Sequence, residues 1–252
     1  MKRIVFISLL TAIASSCISK PEVTSETVPS HELWTIILKK YVTPEGLVNY
    51  SGLVNDKTEL NKYLELLSNH APNEKKWTYE EQLAYWINAY NAFTLKLIVD
   101  NYPVQSIKDL HPINIPFVSS VWQKKFFEIG GEKMNLDYIE HKILRKQFEE
   151  PRIHFAINCA SLSCPELLNE AYSPKKLEEQ LEQQTVKFIN DPKRNNISRE
   201  ALKLSKIFSW FKGDFTKEKE LIDFINQYSK TVVGRGVDVS YLDYNWSLNE
   251  GK

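Results

Sequence analysis

The chain has 252 residues, with 32 Lys and Arg against 32 Asp and Glu, so its formal net charge at neutral pH is zero. That balance excludes a nucleic-acid binder working through bulk charge, because neutralising phosphates needs a basic excess or a basic stripe. With 42% hydrophobic and 25% charged residues the composition is that of a folded protein, and with only 8 glycines and no glycine-rich phosphate cradle the common nucleotide-binding motifs are absent.

Lys2 and Arg3 precede an apolar run from Ile4 to Ile13, and the small residues Ala14-Ser15-Ser16 lead to Cys17. Basic, then apolar, then small is the order of a signal peptide, and the run is too short for an ordinary spanning helix. Because it ends on small residues directly before Cys17, it resembles the bacterial lipoprotein signal. Residues 1–16 are then a leader, Cys17 is the lipidated first residue, and residues 17–30, polar with two prolines, are a flexible tether. This predicts a bacterial cell-envelope protein partnered with the membrane through its N-terminal lipid; a signal cut elsewhere is the alternative. The folded unit is expected over residues 31–252 as one domain, since no repeat or internal linker interrupts it.

Leu, Ile and Tyr at three-to-four spacing predict helices from Glu32 to Tyr41 and from Lys57 to Asn69, joined through a loop over Thr43 to Tyr50. Thr78 caps a long helix to about Val99. Lys125 to Leu136 reads as a hairpin about Gly130-Gly131, after which Asn135 caps a helix to about Phe148. Arg152 to Asn158 is expected as a strand, Ser173-Pro174 to open a helix to about Asn190, Thr216 to Ser229 to be helical, and Val237 to Tyr244 to be the last strand. The fold class is α+β, helix-dominated, with a small β-sheet.

Three of these elements carry polar residues where apolar ones belong. Apolar residues surround the helix from residue 79 to 99, so it is central, yet Glu81, Asn88 and Asn91 share one arc and should enter the interior together, as a structural network or as the wall of a site. On the helix after Asn135, Glu140 falls within the apolar arc and His141 at its edge. Glu140 is therefore either a proton-transfer group or half of a buried pair with Arg145 or Arg152. The alternation of Arg152 to Asn158 puts Arg152, His154 and Asn158 on one face, and a turn just after Asn158 would bring Cys159 towards His154. With Cys17 lipidated, Cys159 and Cys164 remain, and a disulfide between them needs a loop, since five helical residues separate them by more than the ~7 Å bridging limit.

Trp86-Ile-Asn-Ala-Tyr-Asn-Ala92, Tyr102 to Ile107, Ile139-Glu-His141, Pro151 to Ala156, Asn158-Cys-Ala-Ser161, Ser163-Cys-Pro165 and Phe208 to Phe215 together resemble the domain-of-unknown-function family DUF547. The similarity runs from about Gly46 to Asn249. It carries no activity with it. It implies that Asn88, Asn91, Glu140, His141, Arg152, His154, Cys159, Ser161 and Cys164 occupy motif positions.

Two functions of different class follow. In one, the domain is a non-catalytic envelope module that binds a ligand or partner around the Asn/Glu/His/Cys centre, with Asn88, Asn91, Arg152 and Ser161 contacting the ligand. In the other it is a thiol-dependent hydrolase or acyltransferase in which Cys159 is nucleophile, His154 or His141 base, and Glu140 or the asparagines orient that base. A metal site from His141, His154, Cys159 and Cys164 fits no standard zinc spacing, so neither a metal nor a cofactor is expected. The scattered Tyr and Trp residues are expected in the core.

Overall fold

Three short amphipathic helices open the fold: α1 (Glu32–Tyr41), α2 (Tyr50–Asn55) and α3 (Thr58–Asn69). In the computed structural model, which describes residues 24–111 and 120–251, α2 and α3 pack against the long helix α4 (Tyr79–Asn101) and α1 packs on α3, where Trp34 stacks on Tyr63 with centroids 5.3 Å apart, so that Leu38, Leu53 and Leu67 join one core. The leader, Cys17 and the first part of the tether lie outside the described residues. Residues 24–30 do not behave as a free tether: the Ser25 N–H donates to the Ala71 carbonyl at 2.9 Å, the Trp77 indole N–H donates to the Ser25 carbonyl at 2.8 Å, and Val28 packs on the core. Helix α2 lies partly where only a loop was expected. The Asn49 side chain accepts the Gly52 N–H at 2.8 Å and so supplies the cap that starts it.

Helix α4 starts at a reciprocal cap. The Thr78 hydroxyl accepts the Glu81 N–H at 3.2 Å and the Glu81 carboxylate accepts the Thr78 N–H at 2.7 Å. Glu81 is thus spent on the helix end and does not enter the interior with Asn88 and Asn91. Beyond the cap nearly every residue from Leu83 to Val99 is buried, as its all-round apolar pattern requires.

Strands β1 (Phe127–Ile129) and β2 (Glu132–Met134) form the hairpin about Gly130-Gly131, with Phe127 opposite Met134. The next helix is interrupted. Helix α5 (Leu136–Tyr138) passes through a π-helical stretch, Ile139–Leu144, into α6 (Arg145–Gln147), and the Arg145 N–H reaches back five residues to the Glu140 carbonyl.

Residues Pro151–Phe155 are a 3-10 helix and not the expected strand. Pro151 begins it, the Glu150 carboxylate accepts the Arg152 N–H at 3.0 Å, and the Ala156 N–H donates to the Ile153 carbonyl at 2.9 Å. The alternation that mimics a strand has another cause: the segment runs between two cores. Ile153, Ala156 and Ile157 join the core around α4, whereas Phe155 joins a second, phenylalanine-rich one.

That second core is built from α7 (Leu177–Ile189), β3 (Asn196–Ile197), β4 (Leu202–Leu204), α8 (Ile207–Trp210), α9 (Lys212–Phe215) and α10 (Leu221–Tyr228), followed by β5 (Val239–Tyr241). The three strands form a sheet in the order β3-β4-β5, antiparallel then parallel, so the fold has two small sheets where one was expected. Helix α7 starts three residues after Pro174, which lies in a preceding turn, and α10 is shorter than expected because the Thr216 hydroxyl turns back on the Lys212 carbonyl at 2.9 Å to close α9. The chain after β5 straps the molecule together. Its Leu248 N–H donates to Gln105, Asn249 N–H to Ala160 and Gly251 N–H to Val48, while Val48 and Leu162 donate to the Asn249 and Ser247 carbonyls. Beside Val48, Gly46 has φ +75°, and a Cβ there would sit 2.6 Å from that of Glu166, so only glycine fits. The architecture is helix-dominated α+β, and no helix among the described residues is long and apolar enough to cross a membrane.

Candidate functional site

The two asparagines of α4 are structural clamps. The Asn88 amide donates to the Tyr172 carbonyl at 2.8 Å and accepts the Tyr172 N–H at 2.9 Å. One turn on, Asn91 donates to the Ala156 carbonyl at 3.0 Å and accepts the Asn158 N–H at 2.8 Å. Each side chain pairs with backbone as a β-strand would, and neither lines the cavity described below, so the ligand contact expected of them does not hold there.

Clamped in this way, the chain turns after Asn158, as the sequence suggests. Asn158 accepts the Ala160 N–H at 2.8 Å and donates to the Pro165 carbonyl at 2.7 Å, and Ala160 takes a left-handed conformation with φ +58°. The turn lets Cys159 and Cys164 form a disulfide. The sulfur of Cys159 therefore carries no free thiolate, and its further neighbours are the hydroxyls of Tyr244 at 3.4 Å and Ser161 at 3.6 Å, not an imidazole. The nucleophile role expected for Cys159 does not hold in this oxidised form. Ser161 is buried behind the bridge, where its hydroxyl donates to Tyr244 at 3.3 Å.

His154 is likewise committed elsewhere. Its Nε2–H donates to Asp214 Oδ2 at 2.7 Å, and its ring stacks on Phe211 with centroids 4.0 Å apart. Asp214 also accepts Arg145 Nε at 2.5 Å and Nη2 at 3.0 Å. Burial alone would raise the Asp214 pKa, but the bonds from His154 and Arg145 outweigh it and hold the carboxyl well below the usual range. Burial lowers the His154 pKa despite Asp214, so the ring is neutral, and its Nδ1 is buried with no partner among the described residues. Arg145 is thus the partner of Asp214 and not of Glu140. Arg152 is not in the site at all: its guanidinium binds Glu150 at 2.6 Å, Glu178 at 2.7 Å and Glu182 at 3.4 Å, lining a separate acidic cleft.

The π-helical stretch carries the two groups that remain. Among the described residues the Glu140 side chain has one hydrogen bond, a Tyr90 hydroxyl donating at 3.3 Å. Burial pushes its pKa up to about 7, and the pull of Tyr90 and Arg145 does not cancel it. His141 accepts from Arg145 Nη1 at 2.8 Å on Nδ1, so its proton sits on Nε2, 3.7 Å from Asp137 Oδ1. Burial lowers its pKa, with Asp137 opposing and Arg145 assisting, so the ring is held neutral. An insertion of this kind in a helix is frequent at functional sites, and here it sets Asp137, Glu140 and His141 on the lining of one cavity.

That cavity has a volume of about 190 Å3 and gathers Glu140, His141, His154 and the Cys159–Cys164 bridge, so the acid, imidazole and sulfur groups do converge. Aromatic rings complete its lining: Phe211, stacked on His154, together with Trp122, Trp210, Tyr244 and Trp246. Trp246 lies 4.6 Å from Tyr244, 5.6 Å from Trp122 and 5.8 Å from Trp210, centroid to centroid. Trp210 remains 47% exposed. These rings were expected in the core. Sequence reading missed them as a site because they come from three segments distant in the chain, although the Trp210 to Asp214 motif was in view. No group of three His, Cys, Asp or Glu among the described residues is arranged to hold a metal ion.

No curated protein and no solved structure gives a match to this chain. The polar side of the cavity falls within residues 74–189, whereas Trp210, Phe211, Asp214, Tyr244 and Trp246 lie beyond them. Those residues 74–189 match the family described as "Protein of unknown function, DUF547".

Proposed function

We propose that this is a lipid-anchored cell-envelope protein whose DUF547 domain binds a small organic ligand in the cavity between the aromatic rings and the π-helical stretch. The observation that supports it most is the company Glu140 keeps. A carboxyl with a single tyrosine partner is held near neutrality beside a neutral imidazole, on the wall of a cavity whose other side is apolar. Perturbed titratable groups in a concave, largely aromatic site are the usual signature of a binding site. The disulfide at its edge fits an oxidising compartment, in keeping with the Lys2-to-Cys17 pattern.

The test of ligand binding follows the indole N–H resonances of the six tryptophans while a chemically diverse small-molecule library is titrated in. A ligand of the cavity moves Trp122, Trp210 and Trp246 and leaves Trp34 and Trp77 in place. The reading fails if no compound does so at millimolar concentration, or if the shifts survive Trp210→Ala. Anchoring is tested separately by labelled fatty-acid incorporation, which should vanish in Cys17→Ala.

A further inference from the structure

The two sides of the cavity make different demands on an occupant. Trp210, Tyr244 and Trp246 lie with centroids 4.6 to 5.8 Å apart, so the rings touch one another and make one continuous apolar surface. Trp210 is held at its edge, 47% exposed, although covering it would remove a large apolar area from water. On the polar side Glu140 and Asp137 offer acceptor oxygens, while His141, fixed by Arg145, offers an Nε2–H donor. A molecule that satisfies both sides has a flat apolar face and a perimeter of groups that donate as well as accept, and hydroxyl groups do both.

Other chemistries fit less well. A phosphate or carboxylate would meet Asp137 and Glu140, while Arg145 is already engaged by Asp214 and His141, and the Lys108 Nζ lies 5.2 Å from the Trp246 ring. A quaternary ammonium ion is held by rings placed around it, whereas these rings close against each other. The volume of about 190 Å3 lies below the roughly 300–1,000 Å3 of a drug-sized site, so the occupant is one small ring or the end of a longer chain.

We propose that the cavity takes a neutral pyranose, the terminal hydroxylated six-membered ring of a glycan, with its C–H face on Trp210 and Trp246 and its hydroxyls on Glu140 and His141. This rests on the cavity being a ligand site at all, and the experiment separates the two. The full mature chain is titrated with methyl glucopyranoside, N-acetylglucosamine and their β-1,4-linked dimers, and in parallel with choline, adenosine and the diverse library, reading the tryptophan indole resonances. The expected result is saturable movement of the Trp210 and Trp246 signals by the pyranosides, weakened at least about tenfold in Trp210→Ala, whose exposed ring can be removed without unfolding the domain. Glu140→Gln should weaken pyranoside binding as well, because an amide replaces one acceptor oxygen with a donor. If choline, adenosine or a library compound moves those signals and no pyranoside does, the ligand class is wrong and the site stands. If nothing moves them, both readings fall; pyranoside binding unchanged in Trp210→Ala overturns the class.

Discussion

Two pairs of polar side chains enter the interior from neighbouring helices and meet opposite fates. Asn88 and Asn91 on α4 each pair a donor and an acceptor with the backbone and line no part of the cavity. Glu140 and His141 on the π-helical stretch hold one close bond each and turn the rest of their polarity towards a cavity. A buried polar residue paired with backbone away from any cavity belongs to the architecture, while one left partly unsatisfied beside a cavity is available to a ligand. Hydrogen-bond accounting therefore separates scaffold from site where burial alone would not.

The sharpest way to break this contrast is Asn91→Ala. It strips partners from the Ala156 carbonyl and the Asn158 N–H, and should cost about 2–4 kcal/mol in urea unfolding. A loss below about 1 kcal/mol would mean that the clamp is dispensable. Next, replacing both Cys159 and Cys164 with Ser should cost about 2 kcal/mol, the chain-entropy value for so short a closed loop, and reducing agent should lower the wild-type midpoint to match.

Glu140→Gln should act in the other direction. The folded pKa of Glu140, about 7, lies above its ordinary 4.5, so the native state holds a proton that the unfolded chain releases. This makes stability fall as pH rises between those values, with the full penalty present above the upper one. Removing the carboxylate should stabilise the protein by about 1–2 kcal/mol at pH 8 and by much less at pH 5. His31, buried against Tyr63 with its pKa lowered from 6.5 to about 4, has the opposite slope, since the unfolded chain binds the proton there. The two slopes offset each other over much of the same window. In Glu140→Gln the His31 slope stands unmasked, and stability measured from pH 4 to 7 should climb more steeply than in the wild type; parallel profiles would contradict the shift assigned to Glu140. The smallest effect on stability belongs to Trp210→Ala, within about 0.5 kcal/mol by thermal unfolding, although the same change should weaken the proposed ligand response at least about tenfold.

Much of the scaffold was legible in the sequence, because α1, α3 and α4 carry their apolar periodicity and α4 its capping residues in a local stretch of chain. The Pro151–Phe155 segment misled because its alternating Ile153, Phe155 and Ile157 answer to two different cores, which period counting cannot tell from the two faces of a strand. For the site, the placement of Glu140, His141, His154 and Cys159 about one cavity was readable from polar residues in apolar positions. Their partners were not. Asp214 lies 60 residues beyond His154, and Tyr244 lies 80 beyond Cys164, so only the tertiary fold reveals that Arg145 serves Asp214 and that the aromatic side exists.

The strap after β5 couples the cavity to the rest of the domain. Tyr244 and Trp246 sit on the segment whose amides knit Val48, Gln105 and Ala160 into one body. The aromatic lining and these long-range ties therefore depend on one another, because the same segment supplies both. Displacing this segment would open the aromatic lining and release Val48, Gln105 and Ala160 in the same step.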